Sequence, residues 1–301
     1  MTVTLQELPR LRDSLSYVYI EHAIVDRQQN AIEFIRNEGR TLVPVAALIV
    51  ILLGPGTSIS HAAIKCLAEN GCSVVWVGED CIRCYAQGLG ETRKSLHMLR
   101  QAELASDPVK RELVVRKMYQ MRFDELLPDG LNLNQIRGKE GVRVREAYAE
   151  ASKKYGVAWS GRKYDRFDWH HADTVNRTLS AANALLNGIC HAAIVSGGYS
   201  PALGFVHTGR MLSFVYDIAD LYKTEITIQA AFEIVSQHQD GFEKKVRERC
   251  RELFIEKQLL KRILTDIDNL LEIPDDIERE FNLDPPSELW KELFANDRYD
   301  T

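Results

Sequence analysis

The hydrophobic pattern of this chain changes period once, near Gly88 to Glu91, and that change fixes the class of fold it can adopt. Before it, short β-branched and aromatic runs are separated by turn residues. Ser14 to Val25, the stretches around the Asn37-Glu-Gly-Arg40 turn, the apolar run Val43 to Leu53 and Ser73 to Val77 all read as strands. Gly78-Glu-Asp80 then turns the chain into Cys81 to Gln87 as a hairpin, and one helix over Ser60 to Asn70 interrupts the strands and stops at Gly71. After Thr92 the apolar residues recur at helical spacing over Arg100 to Leu127, Gly138 to Tyr155, Asp173 to Ser196, Ser213 to Lys223, Ile226 to Gln237 and Lys244 to Leu271. The pattern predicts an α+β chain. A small β-rich N-terminal domain over 1–88 precedes a larger all-α domain over 89–272, with an acidic tail over 273–301.

The tail changes how the charge is read. The net charge is −5, but Ile263 to Thr301 holds twelve acidic residues against three basic ones, which leaves +4 for Met1 to Arg262. Within that body, Arg137 to Arg166 and Lys244 to Arg262 each carry a net +5. Such runs are most often solvated helix faces, yet two of them flanking the candidate catalytic segments suit a polyanion passing over the site.

Several functions are disfavoured. Val43 to Leu53 is too short to span a bilayer, and the N-terminal segment lacks a charged region followed by an apolar one; no membrane and a cytoplasmic location are expected. The six cysteines read as reduced thiols, and Cys81-Ile-Arg-Cys84 lacks the further ligands of a structural zinc site. Gly54-Pro-Gly-Thr-Ser58 precedes a helix but lacks the Gly-Lys-Ser/Thr of a P-loop, so it reads as a tight turn.

The informative stretch is Gly198 to Lys223, GYSPALGFVHTGRMLSFVYDIADLYK. It places His207 before Thr208-Gly209 and then opens a helix with Ser213 in N-cap position. Asp217 and Asp220 stand at i and i+3, so they share a helix face whose neighbours are apolar. Ionised carboxylates there require partners or a metal. Carboxylates suit Mg²⁺ or Mn²⁺, and an imidazole in the set leans toward Mn²⁺. The best third ligand is Glu140 in Arg137-Gly-Lys-Glu-Gly-Val-Arg-Val-Arg145, an acid among cations after a glycine break at the start of a helix. An ordinary surface ion pair of Glu140 with Arg143 explains the same residues equally well. His207 alone would more often be a structural histidine, and the rival cluster His170-His171 with Asp173 reads as surface, because adjacent histidines point apart.

At these motifs the chain resembles the CRISPR-associated integrase, the catalytic subunit of the spacer-acquisition complex, in the branch that accompanies Cascade-type (type I-E) systems. The similarity rests on RGKEGVRVR (137–145), YGVAWSGRKYDRFDW (155–169) and the 198–223 stretch, with weaker matches at LGPGTSISHAAIK (53–65), VVWVGE (74–79) and VVRKMYQMRF (114–123). The resemblance implies a homodimer that assembles with a small ferredoxin-like partner subunit and inserts foreign DNA into a repeat array, and that also cuts DNA. It implies that Glu140, His207 and Asp220 hold the divalent metal and that Asp217 supports them. It also implies DNA contacts from Arg83, Lys223, Lys244 and Arg247, with Tyr164 and Tyr216 near the site. Ser58, His22 and Asn187 depart from residues that relatives in this branch carry.

The expected reaction is in-line attack of a 3′-hydroxyl, or of water, on a phosphodiester. Arg143, Arg145 and Lys223 would neutralise developing phosphate charge. Two other classes stand beside it. One is a non-catalytic DNA-binding scaffold. The other is a helical His-Asp phosphohydrolase of small nucleotides, for which the adjacent His-Asp pair is missing, since Ala172 follows His171.

Overall fold

A computed structural model describes residues 16–79, 84–88, 95–128, 130–162, 173–238 and 240–273. Arg83, Tyr164, His170, His171, Cys81 and the acidic tail from 274 onward lie outside the described residues. The chain is a strand-rich N-terminal region followed by a helical one, as the change of period predicts.

The first region contains β1 (Ser16–Ile20), β2 (Ile24–Gln28), β3 (Ala31–Arg36), β4 (Gly39–Pro44), β5 (Leu48–Leu53), β6 (Ser58–Ile59), α1 (His61–Glu69), β7 (Ser73–Val77) and β8 (Cys84–Gly88). These strands form two four-stranded sheets, ordered β1-β5-β7-β8 and β4-β3-β2-β6. The run Val43 to Leu53 is therefore not one strand: Pro44 ends β4, Val45–Ala47 makes a 3-10 turn, and β5 starts in the other sheet. Proline cannot donate to a ladder, so it stands at a strand end. β5 and β7 pair in parallel, with α1 in the crossover between them. Ser60 caps α1 by accepting the Ala63 N–H at 3.1 Å, and Gly71 leaves the helix at φ +71°. One apolar core joins the layers: Ile20, Ile51 and Leu53 from the first sheet, Val25 and Phe34 from the second, and Leu67 from α1.

The helical region contains α2 (Leu96–Ser106), α3 (Pro108–Gln120), α4 (Leu133–Tyr155), α5 (Thr174–Ser196), α6 (Ser213–Ala219), α7 (Thr227–Gln237), α8 (Phe242–Glu256) and α9 (Leu259–Leu271). Two expected helices prove to be pairs. Arg100 to Leu127 is broken at Asp107-Pro108, where Asp107 accepts the N–H groups of Val109 and Lys110 and proline takes the first helical position. Lys244 to Leu271 is broken at Lys257-Gln258, where Gln258 has φ +46°.

α5 packs against α6, α7, α8 and α9 and reaches β5 and β7. It has the length and apolarity of a membrane-crossing helix, but two thirds of that apolar window is buried within this fold, as in the central helix of a helical core. Asp173, grouped with the two histidines in the sequence, is the N-cap of α5 and accepts the Asn176 N–H at 2.8 Å.

Candidate active site

The site forms where the 198–212 loop and α6 meet α4 and the end of α3. Two further glycine and cap expectations change here. α4 starts at Leu133 with a capping box between Asn132 and Gln135, so Gly138 lies inside the helix and Glu140 well within it. Ser213 is the first helical residue rather than the N-cap, and its hydroxyl donates to the Arg210 carbonyl and accepts the Arg210 N–H.

Asp217 organises the loop. Its side chain is fully buried, a position a carboxylate holds only when its oxygens are filled. Oδ2 accepts the backbone N–H groups of Phe205 at 2.6 Å and Val206 at 3.1 Å, and Oδ1 accepts that of His207 at 2.8 Å. Oδ1 also accepts Nδ1–H of the His207 ring at 2.7 Å. Because a carboxylate only accepts, the proton of a neutral His207 is placed on Nδ1 and the lone pair on Nε2. Nε2 lies 4.0 Å from Oδ2 of Asp220, and the Tyr216 ring meets His207 edge-on at 5.9 Å. The same hydrogen bond raises the His207 pKa above its ordinary value, against an opposing effect of burial.

The loop is clasped from outside as well. The buried Gln101 of α2 donates to the Ser200 and Leu203 carbonyls, both at 2.9 Å, and accepts the Ser200 N–H at 2.8 Å. Arg111 of α3 donates twice to the Phe205 carbonyl, at 2.9 and 2.7 Å. Gly204 must be glycine for reasons of space: a Cβ there would lie 2.3 Å from the His207 carbonyl oxygen and 2.7 Å from the Ser213 Cβ.

The carboxylates of Glu140 and Asp220 face cations. Arg143 Nε and Nη2 bind Glu140 at 2.7 and 2.9 Å, and Arg143 Nη1 reaches Thr224 Oγ1 at 3.3 Å. The Glu140–Arg143 pair of the sequence reading thus exists, but Glu140 is only 12% exposed, so it is no surface pair. Lys223 binds Oδ1 of Asp220 at 2.5 Å. Arg122 lies between the two acids, 3.3 Å from Oε1 of Glu140 and 3.9 Å from Oδ2 of Asp220.

The structure therefore brings together Glu140, His207, Asp217, Asp220, Arg143, Lys223 and Tyr216. Arg145 is exposed, two residues beyond Arg143 and so on another side of α4. Lys244 and Arg247 lie on α8, the first exposed and the second half-buried. Sequence reasoning singled out none of Arg122, Thr224, Gln101 or Arg111. Arg122 falls inside the VVRKMYQMRF match, but spacing alone gives no sign that it meets Glu140, 18 residues on.

Among the described residues no three His, Cys, Asp or Glu side chains converge closely enough to hold an ion as they stand. The donor chemistry nevertheless fits a divalent cation: two carboxylates, and an imidazole whose Nε2 is left as an acceptor by the Asp217 hydrogen bond. Glu140 is instead paired with Arg122 and Arg143.

Comparison with known proteins agrees with this arrangement of segments. The model of the CRISPR-associated protein Cas1 family matches residues 16–126 and 122–269. The CRISPR-associated endonuclease Cas1 2 of Thermus thermophilus is 53% identical over 291 residues, covering 95% of this chain and 89% of that protein. The CRISPR-associated endonuclease Cas1 of Escherichia coli is 43% identical, covering 87% of this chain and 86% of its own length. The crystal structure of a TtCas1–DNA complex superposes with a TM-score of 0.78 at 54% identity, over 89% of this chain and all of that one. With both segments matched and relatives this similar along most of its length, the chain belongs to the CRISPR-associated Cas1 family.

Proposed function

We propose that this protein is a divalent-metal-dependent DNA endonuclease and integrase of the branch that accompanies Cascade-type (type I-E) systems. It inserts DNA fragments into a repeat array by attack of a 3′-hydroxyl on a phosphodiester. The observation that carries the reading is the Asp217–His207 hydrogen bond, which leaves Nε2 facing Asp220 in the posture of a metal-binding histidine. Relatives named endonucleases and a relative's complex with DNA support it.

Glu140, His207 and Asp220 would hold Mg²⁺ or Mn²⁺, which supplies Lewis-acid polarisation of the phosphoryl group and activation of the attacking oxygen. Asp217 fixes the His207 tautomer and closes the loop over its own carboxylate. Lys223, about one third exposed, and Arg143 are placed to neutralise charge that develops on phosphate oxygens. Lys244, Arg247 and Arg145 would carry the DNA backbone away from the reacting atoms, with Arg83 and Tyr164 adding contacts from segments outside the described residues. The working unit is a homodimer joined by a small ferredoxin-like partner subunit, with the strand-rich domain providing dimer and DNA contacts.

The test is strand transfer of a short duplex into a repeat-containing plasmid with Mn²⁺ or Mg²⁺, with the partner subunit added, comparing wild type with His207→Ala. Integration that is lost in the variant and with chelator supports the reading. Metal-dependent cutting of branched DNA without integration keeps the nuclease and removes the integrase. DNA binding with neither activity replaces both with a scaffold.

A further inference from the structure

Arg122 follows α3 and is the most buried of the site's cations: its side chain is 5% exposed, against 23% for Arg143 and 32% for Lys223. Its guanidinium lies 5.1 Å from the centroid of the Tyr119 ring, and among the described residues Nη1 alone makes a hydrogen bond, to Glu140. Among the described residues, Nε and Nη2 are buried without hydrogen-bond partners. A buried donor left unfilled is costly, so two of them on one side chain indicate that the group is kept for its charge. That charge faces two of the three side chains assigned to the ion. Its Nη2 approaches Oδ2 of Asp220, the same oxygen that Nε2 of His207 approaches.

We propose that Arg122 is the site's own counter-cation, neutralising Glu140 and Asp220 while no ion is bound and opposing entry of the divalent ion, so that the ion is held loosely and exchanges. This deepens the metal-site reading above and rests on it. Like charges a few ångströms apart in a half-buried site repel far more strongly than in water. Lys223, 32% exposed, has solvent into which to withdraw; Arg122, 5% exposed, has almost none. Its removal would strand neither acid, because Glu140 retains Arg143 and Asp220 retains Lys223.

The experiment is direct Mn²⁺ titration of the full-length protein without DNA, by calorimetry and by the electron paramagnetic resonance signal of free Mn²⁺. Wild type, Asp220→Ala, Arg122→Gln, Arg122→Met and Arg122→Lys are compared, with circular dichroism as the check on folding. Arg122→Gln and Arg122→Met are expected to bind Mn²⁺ at least tenfold more tightly than wild type. Arg122→Lys should stay within about threefold of wild type, since one charge replaces another. The neutral variants should also melt lower than wild type without metal and gain more from Mn²⁺. A folded neutral variant with wild-type or weaker affinity overturns the proposal, and one folded variant of the two decides it. If wild type binds Mn²⁺, Asp220→Ala abolishes that binding and the neutral variants are unchanged, only the role of Arg122 falls. Binding that is absent, or untouched by Asp220→Ala, removes the metal-site reading itself.

Discussion

Asp217 Oδ1 accepts both the backbone N–H and the ring Nδ1–H of His207, at 2.8 and 2.7 Å, so one buried oxygen fixes the residue's backbone and its tautomer together. This relationship separates the two aspartates that the sequence places on one helix face. Asp217 is spent on the loop, and Asp220 remains available at the site.

Asp217→Ala would leave three backbone N–H groups of the loop without their acceptor. Each unfilled buried donor costs about 1–3 kcal/mol, so a loss on the order of 3–5 kcal/mol is expected after relaxation. Denaturant unfolding measures it. A loss under about 1 kcal/mol would show that the loop does not depend on this carboxylate.

His207 and pH follow from the sign of its shift. Its folded pKa is raised above the unfolded value, chiefly by the Asp217 hydrogen bond. Its contribution to stability is therefore fully present below the unfolded pKa and is lost as pH rises through the folded one. The melting-temperature difference between wild type and His207→Ala should be larger near pH 5 than near pH 9. Protons also compete for Nε2, so Mn²⁺ affinity should fall over the same range as pH is lowered. A difference in melting temperature that grows with pH contradicts the assignment.

Gly204→Ala should disable the site without touching a charged residue. The added methyl would meet the His207 carbonyl oxygen at 2.3 Å and the Ser213 carbonyl carbon at 2.8 Å, both backbone atoms rather than flexible side-chain ends. A drop of at least a hundredfold in the proposed metal-dependent cleavage is expected if His207 moves by about 1 Å. Cleavage within threefold of wild type would mean that the loop yields freely.

Lys244→Ala with Arg247→Ala tests a DNA path away from the reacting atoms. Lys244 is 78% exposed and only loosely paired with Glu248 at 4.0 Å. Binding of a duplex should weaken, and the slope of log affinity against log salt should fall by about 2 if both side chains meet phosphates. An unchanged slope places the DNA elsewhere.

The sequence by itself determined the order of the strand-rich and helical regions and singled out the segments that the structure brings together at the candidate site, because periodicity, caps and turn residues act locally. The change of period near Gly88 separates the strands from the long helices, and the helix read over Ser60 to Asn70 with its stop at Gly71 is α1 with its two cap residues. It missed the Asp107-Pro108 break, a signal present in the sequence, and the Gln258 break, where an ordinary residue takes a left-handed φ. Tertiary structure alone decided three things. It put β4 and β5, adjacent in sequence, into different sheets. It turned Glu140 toward Arg122, a pairing across 18 residues that no spacing rule encodes. It also supplied the partners that separate Asp217 from Asp220, a division of roles the family resemblance implied but helix spacing did not: the first meets the folded loop's N–H groups, the second meets Lys223, Arg122 and the edge of His207. Helix spacing places two carboxylates on a face; what each one binds depends on the chain that packs against it.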